Sequence, residues 1–239
     1  MICPKCRRSF YFLKAQSLDQ GASCAKCGHT GLAEKPSYEN YHNDLYSKLY
    51  RRTLKTDPQM DWILKSLTIE PNDVVTDLGC GVGDYTQAIQ AFSGRVAGYD
   101  RDVTAAQKKY PNVRFFDLDF SKPIPLPDAC VDKIVSINVI EHLIDWDFFL
   151  RECQRVLKPG GLIAFSTANR HFMLHDLHFD KTHYHEWTLE EFKKITQTYF
   201  QTIKARKDCA MFNYYPANFL FKYLLKPDLT WIGRKTSED

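Results

Sequence analysis

No stretch of this sequence reaches the ~18 consecutive apolar residues of a membrane-spanning helix, so no transmembrane segment is expected. The first residues, "MICPKCRRSF", carry cysteines where a secretory leader needs an apolar run. A soluble, cytoplasmic protein is the expectation. Internal repeats and low-complexity tracts are also missing, which argues against a solenoid or a compositionally disordered chain. Excess charge is scarce, at a net +3. What is present is hydrophobic content of 44%, enough for a real core, over 239 residues, the size of one medium α/β domain with a small appendage.

The small net charge is unevenly spread. Residues 1–55 hold ten Lys/Arg and four acids, so that segment is +6 and the remainder −3. A basic head of this kind suits RNA, an anionic glycan or a phospholipid surface, or is a solvated small domain with no such partner. Four of the eight cysteines lie in it as two pairs, Cys3/Cys6 in "CPKC" and Cys24/Cys27 in "CAKCGH". Two residues between thiolates let one tight turn present both sulfurs to a tetrahedral ion, and the stretch between the pairs suffices for a small hairpin that closes the set. Structural zinc is favoured over a redox pair or disulfides, which fit the doubled spacing less well. Four protein ligands leave no open coordination position, so this metal is expected to be structural. The remaining cysteines, Cys80, Cys130, Cys153 and Cys209, are scattered and read as core or near-core residues.

Pro36-Ser37 reads as a linker, followed by a helix whose Tyr and Leu residues recur at helical spacing up to about Thr56. The expected organisation is a metal-binding head at 1–35, a linker helix at 36–58 and the main domain at 59–239. A helix over 59–67 precedes a first strand, 74–77. Strands and helices then alternate: a helix with Tyr85, Ala88, Ile89 and Phe92 on one face, short strands in "RVAGYD" and "VRFFDLD", and an apolar fourth strand, "KIVSINV". A helix follows with Trp146, Phe149, Leu150, Cys153, Val156 and Leu157 on one stripe, stopping at Pro159-Gly160-Gly161. A fifth strand, a helix in "LEEFKKITQTYF" and two last strands in "TIKARKD" and "LTWIGRK" complete the pattern. Such alternation predicts an α/β fold with a doubly wound, largely parallel sheet.

In these sheets ligands sit at the carboxyl ends of the strands, at the switch point. The turn after the first strand reads D-x-G-x-G-x-G, from Asp77 through Gly79, Gly81 and Gly83, and lacks the G-x-G-x-x-G spacing of a dinucleotide site. The second strand ends in Asp100, an acid placed to accept from both hydroxyls of a ribose, and the third ends in "DLD", whose acid suits an adenine amino group. A backbone cradle, a ribose acid and an adenine acid thus come in order from three strand ends.

At this point the chain resembles the class I S-adenosylmethionine-dependent methyltransferases, in particular the small-molecule type related to ubiquinone and menaquinone biosynthesis. The pieces that carry the resemblance are "VVTDLGCGVGDYT", "VAGYDRD", the long stretch from "FFDLDFS" through "NVIEHL" and "LKPGGLIAFSTAN", and the late "HYHEWTLEEF", together spanning about Asp61 to Lys235. The resemblance implies a seven-stranded Rossmann-like sheet with the last strand antiparallel, and S-adenosylmethionine as cofactor. It implies that Asp77, Gly79 and Gly81 cradle the methionine part. Asp100 would bind the ribose with Arg101 over the adenine, and Asn138 would lie beside the cofactor. Asp119 with Phe120 would meet the adenine edge, Asp117 being the alternative. The cysteine head looks like a zinc ribbon, which occurs before related enzymes acting on rRNA and on glycan or lipid precursors. The rRNA guanine type lacks the "IEHL" stretch present here, which favours a small hydroxylated acceptor (a sugar, a lipid-linked saccharide or a quinol-like molecule) and leaves an RNA-directed methyltransferase as the alternative. Some relatives with E-x-x-E-H after strand four bind a divalent metal, but here Asn138 replaces the first acid.

Methylating a hydroxyl requires that the acceptor be aligned and its proton removed. "NVIEHL" supplies Glu141 and His142, and the stretch after strand five holds His171, His175, His178, His183 and His185, five of the eight histidines. His183 and His142 are the candidate bases; the alternative is that the histidines pack a substrate loop.

Overall fold

In a computed structural model, residues 58–170, 182–208 and 228–236 are described. All of them except Thr182 belong to one compact unit. The four head cysteines, the linker and its helix, Cys209, and His171, His175 and His178 lie outside the described residues.

Apolar residues of high β-propensity form four parallel strands, β1 (Val75–Leu78), β2 (Val96–Asp100), β3 (Arg114–Asp117) and β4 (Val131–Ile137), and every residue of β1 and β2 is buried. Burial on both faces is what a parallel sheet covered by helices requires. With β5 (Leu157–Ala168), β6 (Gln201–Asp208) and β7 (Asp228–Arg234) they make one seven-stranded sheet in the order β3-β2-β1-β4-β5-β7-β6. β7 runs antiparallel to both β5 and β6, as the resemblance implies. The order reverses between β1 and β4, which are parallel neighbours. The crevice outside their carboxyl ends is therefore the switch point.

Five α-helices are described: α1 (Pro58–Leu67), α2 (Asp84–Gln90), α3 (Thr104–Lys109), α4 (Trp146–Val156) and α5 (Leu189–Thr196). α4 opens with the Asp145 side chain accepting from Phe148 N at 2.9 Å, a side-chain N-cap. Its stripe of Phe149, Leu150, Cys153 and Val156 is wholly buried. The helix ends earlier than the sequence suggests. Leu157 already has extended backbone (ψ 134°) and pairs with Val131, so β5 begins before Pro159. Proline disfavours helical geometry at the residue before it, Lys158, and the sheet supplies the hydrogen bonds the helix gives up. Lys235 donates to the carbonyls of Gln154 (2.8 Å) and Leu157 (3.1 Å), giving the end of α4 a cation and two of its missing donors. Phe92 also departs from expectation. α2 stops at Gln90, so Phe92 leaves the stripe that buries Ile89 and is half-exposed.

The largest fully buried side chains of the core are aromatic. Trp231 of β7 lies with Phe165, Phe192 and Phe200 at ring distances of 6.0–6.1 Å. Its indole N–H donates to Thr202 Oγ1 at 3.0 Å, so its burial leaves no polar atom unpaired. This cluster makes the β5–β7–β6 edge a firm base for the segments that return above β4 and β5.

Candidate active site

β1 ends at Leu78, and the chain turns through Gly79 (φ 86°), Gly81 (φ 52°) and Gly83 (φ 83°) into α2. The turn is anchored on its neighbour strand. Gly79 N (2.7 Å) and Cys80 N (3.0 Å) both donate to Tyr99 O, and Gly83 N donates to Cys80 O at 2.9 Å. Gly81 N donates to Asp100 Oδ2 at 2.7 Å. These amides are engaged inside the protein, so what the turn offers a ligand is room. A Cβ on Gly79 would lie 2.0 Å from Val139 Cγ2, and one on Gly83 would lie 2.6 Å from Phe115 Cζ. A Cβ on Gly81 would meet nothing within 4 Å. Gly79 and Gly83 let neighbours close in, whereas Gly81 faces open space at the switch point.

The acids divide by environment. Asp100 is 8% exposed, its Oδ1 accepting from Arg101 N and its Oδ2 from Gly81 N, each at 2.7 Å. Carboxylate oxygens accept more than one bond each, so this rigidly held group keeps capacity for a ligand's hydroxyls. Asp77 is different. It is 1% exposed, and its Oδ2 accepts from Thr86 Oγ1 of α2 at 2.6 Å. Burial pushes its carboxyl up to about 7, the Thr86 bond opposing and the charge of Asp100 adding to the rise. Its carboxyl thus ties the glycine turn to the helix that follows. Asp117 closes β3, opposite Asp100, and accepts from Val103 N at 3.1 Å, which occupies it in starting α3. Asp119 lies in the turn beyond, is exposed, and accepts from Ser121 N at 3.0 Å. The Ser121 bonds hold it below the usual carboxylate range, with a smaller contribution from the Arg101 guanidinium. Phe120, the next residue, packs edge-on to Phe149 at 5.2 Å.

The turn after β4 lies against the glycine turn through Val139. Asn138 has φ 54°; its N–H donates to Ser166 O at 2.9 Å, and its Oδ1 accepts from Ser166 Oγ at 3.4 Å. Gln59 of α1, buried, donates to Ser166 Oγ (2.9 Å) and Thr230 Oγ1 (3.0 Å), so a polar chain runs from α1 through β5 to Asn138. A 3-10 turn, Ile140–His142, follows. Glu141 in it is 1% exposed, with Oε2 accepting from Thr167 Oγ1 at 2.9 Å. Burial pushes its carboxyl up, against the charge of His183 and the Thr167 bond.

His183 and His142, 41 positions apart in the chain, come together with ring centroids 4.8 Å apart, edge to face. The main chain explains the meeting, since Tyr184 N (2.8 Å) and His185 N (3.3 Å) both donate to Glu141 O. His185 turns aside and stacks on Trp187 at 5.6 Å. One donor atom from each of Glu141, His142 and His183 lies within 4.8 Å of the others, a set that suits a divalent cation or a shared proton. Gln59, Thr167 and Glu186 were missed by sequence reasoning. Only Glu186 had a local signal, standing three residues after His183 in "HYHEW".

The comparisons with known proteins agree with this geometry. Residues 76–165 match the methyltransferase domain family. A probable S-adenosylmethionine-dependent methyltransferase of Mycolicibacterium smegmatis is 36% identical over 143 residues, 59% of this chain and 49% of that protein. A ubiquinone biosynthesis O-methyltransferase of Bradyrhizobium diazoefficiens is 31% identical over 104 residues, 41% of each chain. The chain thus spans less than half the length of either relative. Among solved structures, a chain of the complex between the Haloferax volcanii Trm112 methyltransferase activator and a methyltransferase superposes with TM-score 0.62 at 20% identity, covering 74% of this chain and 88% of that one. That likeness is one of fold.

Proposed function

We infer, from a chain that carries a class I S-adenosylmethionine-dependent methyltransferase domain, that the protein methylates a hydroxyl of a small acceptor such as a sugar, a lipid-linked saccharide or a quinol-like molecule. The observation that carries the reading is the pairing of Gly81 with Asp100, an open glycine turn whose amide orients the acid that ends β2. S-adenosylmethionine fits these residues. The room over Gly81, in a turn whose path Gly79 and Asp77 set, suits the methionine part, and Asp100 suits the ribose hydroxyls. Arg101, Asp119 and Phe120 suit the adenine, and Asn138 flanks the cofactor at the end of β4. The cofactor supplies a methyl group on a sulfonium, whose departure as a neutral thioether needs no proton. The chain's own residues therefore have two tasks, aligning the acceptor and taking its hydroxyl proton, and His183 with His142 beside it is suited to the second. The likeness to ubiquinone O-methyltransferases supports oxygen as the acceptor atom.

Calorimetry tests the cofactor half. S-adenosylmethionine is expected to bind, and Asp100→Ala to weaken it by about 1.5–3 kcal/mol, the scale of a lost hydrogen bond to a charged group. Unchanged affinity in the variant rejects Asp100 as the ribose acid. Incubation with methyl-labelled cofactor tests the acceptor half, with label expected in a small-molecule extract. Label entering bulk RNA instead makes the basic head an RNA-delivery module.

Cys3, Cys6, Cys24 and Cys27 are proposed to hold one structural zinc in a ribbon over residues 1–35. Elemental analysis of protein purified without chelator is expected to return one zinc per chain, reduced in a Cys3→Ser, Cys6→Ser double variant. A zinc-free preparation, or one whose zinc is indifferent to those substitutions, rejects the assignment.

A further inference from the structure

We propose that Glu186 is the positioning residue of the acid–base pair. Its carboxylate holds the Nδ1–H of His183, which leaves Nε2 as the nitrogen that takes the acceptor's proton. The proposal rests on the reading of His183 as the base.

His183 Nδ1 lies 2.7 Å from Glu186 Oε1, and the two side chains are only 11% and 8% exposed. A carboxylate can only accept, so the proton of that bond belongs to Nδ1. In neutral imidazole the lone pair is then on Nε2, and the tautomer is set by the partner. Near-burial of both groups keeps water from replacing either side of the bond. The segment that carries them is pinned at two ends. Tyr184 N and His185 N donate to Glu141 O in the turn after β4. Arg170 N donates to Trp187 O at 3.0 Å just beyond β5, where Asn169 and Trp187 form a parallel bridge. Arg170 also donates to the Glu186 carbonyl at 3.5 Å. The bond thus sits in a short span whose main chain is fixed from both strands.

Among the described residues, the ionisable groups that face His183 include Glu186, the buried Glu141 and His142. When His183 accepts a proton, the new positive charge lies against the Glu186 carboxylate, which stabilises it without moving. A carboxylate–imidazole pair of this kind both orients a base and strengthens it. If the bond were purely architectural, turnover would not depend on which nitrogen carries the proton. Glu186→Gln separates the two roles, because a glutamine amide fills the same space but can also donate to Nδ1 and so admit the other tautomer.

The test uses the full-length protein with 15N-labelled imidazoles, His183 being assigned by its loss in His183→Gln. Neutral wild-type His183 is expected as the Nδ1–H tautomer. In Glu186→Gln it is expected to become a mixture with Nε2–H, and turnover on an identified acceptor to fall about 10²-fold. KM and S-adenosylmethionine affinity are expected to stay as they were, and the acidic limb of the rate profile to move down by about one pH unit as the neighbouring charge is lost. Glu186→Ala, which also removes the carboxylate, serves the same comparison if the glutamine variant does not fold, and Glu186→Asp, which keeps the charge, is the control expected to retain the Nδ1–H tautomer. An Nε2–H tautomer in the wild type, or an unaltered tautomer in Glu186→Gln, overturns the proposal. Mn2+ that selectively broadens His142 and His183 together overturns it as well, since Nε2 is then occupied by an ion. Failure of the underlying reading looks different: His183→Ala keeps full turnover while the tautomer result stands, and Glu186 then acts only in packing.

Discussion

Gly79→Ala is expected to cost about 2–5 kcal/mol of stability and to abolish cofactor binding in what remains folded. Two penalties coincide at this residue. Its φ of 86° is left-handed, which costs a residue with a Cβ about 1–2 kcal/mol. The new methyl would also lie 2.0 Å from Cγ2 of Val139, a buried β-branched side chain with little rotamer freedom, and overpacking of that kind costs about 1–3 kcal/mol. For a domain of this size the melting temperature should fall by roughly 5–15 °C. Gly81→Ala is the internal control. Its φ of 52° is close to the left-handed minimum and its Cβ meets nothing, so it should fold with a loss of about 1 kcal/mol. Calorimetry should still show it binding S-adenosylmethionine more weakly, because the methyl takes room assigned to the ligand. Melting of Gly79→Ala within a degree or two of wild type would show that Val139 yields easily, and the close packing of the two turns would lose its importance.

His183→Ala should lower turnover of an identified acceptor by about 10²-fold or more, the scale of a lost general base. The alanine removes a ring that packs on His142 and leaves the Glu186 carboxylate nearly buried without its donor. Some loss of stability is therefore expected too. Affinity for S-adenosylmethionine is the discriminating readout, since the groups assigned to the cofactor stand on the ends of β1 to β4. Retained affinity with lost turnover identifies the base. Normal turnover makes His183 a packing residue and moves the role to His142. A parallel fall of affinity and turnover makes the segment after β5 a structural cover.

Much of the fold was legible because each local signal agreed with its neighbours. Alternating strands and helices, with apolar runs short enough to be parallel strands, leave few topologies once connections are right-handed. The errors were at the joins. Leu157 carries a helix-compatible side chain at the end of a helical stripe, yet it belongs to β5 because Val131 of β4 gives it a strand partner where the helix ends. Phe92 matched the stripe of α2 by spacing alone, and the helix ended two residues before it.

The site divides in the same way. The glycine turn and the acids that end β1, β2 and β3 are consequences of sequence alone, because backbone freedom at Gly79 and Gly81 and the position of an acid at a strand end are properties of single residues and their immediate spacing. Which groups each acid accepts from was decided by tertiary structure. Asp77 is turned to Thr86 and Asp117 to the start of α3, while Asp100 and Asp119 remain at the mouth. The histidine–carboxylate cluster needed the fold altogether. Glu141, His142, His183 and Glu186 meet because β4 and β5 are neighbours in the sheet and a main-chain carbonyl at the end of one captures two amides of the segment returning from the other. Proximity created by strand pairing leaves no periodic trace along the chain, so only the folded molecule brings those four side chains together.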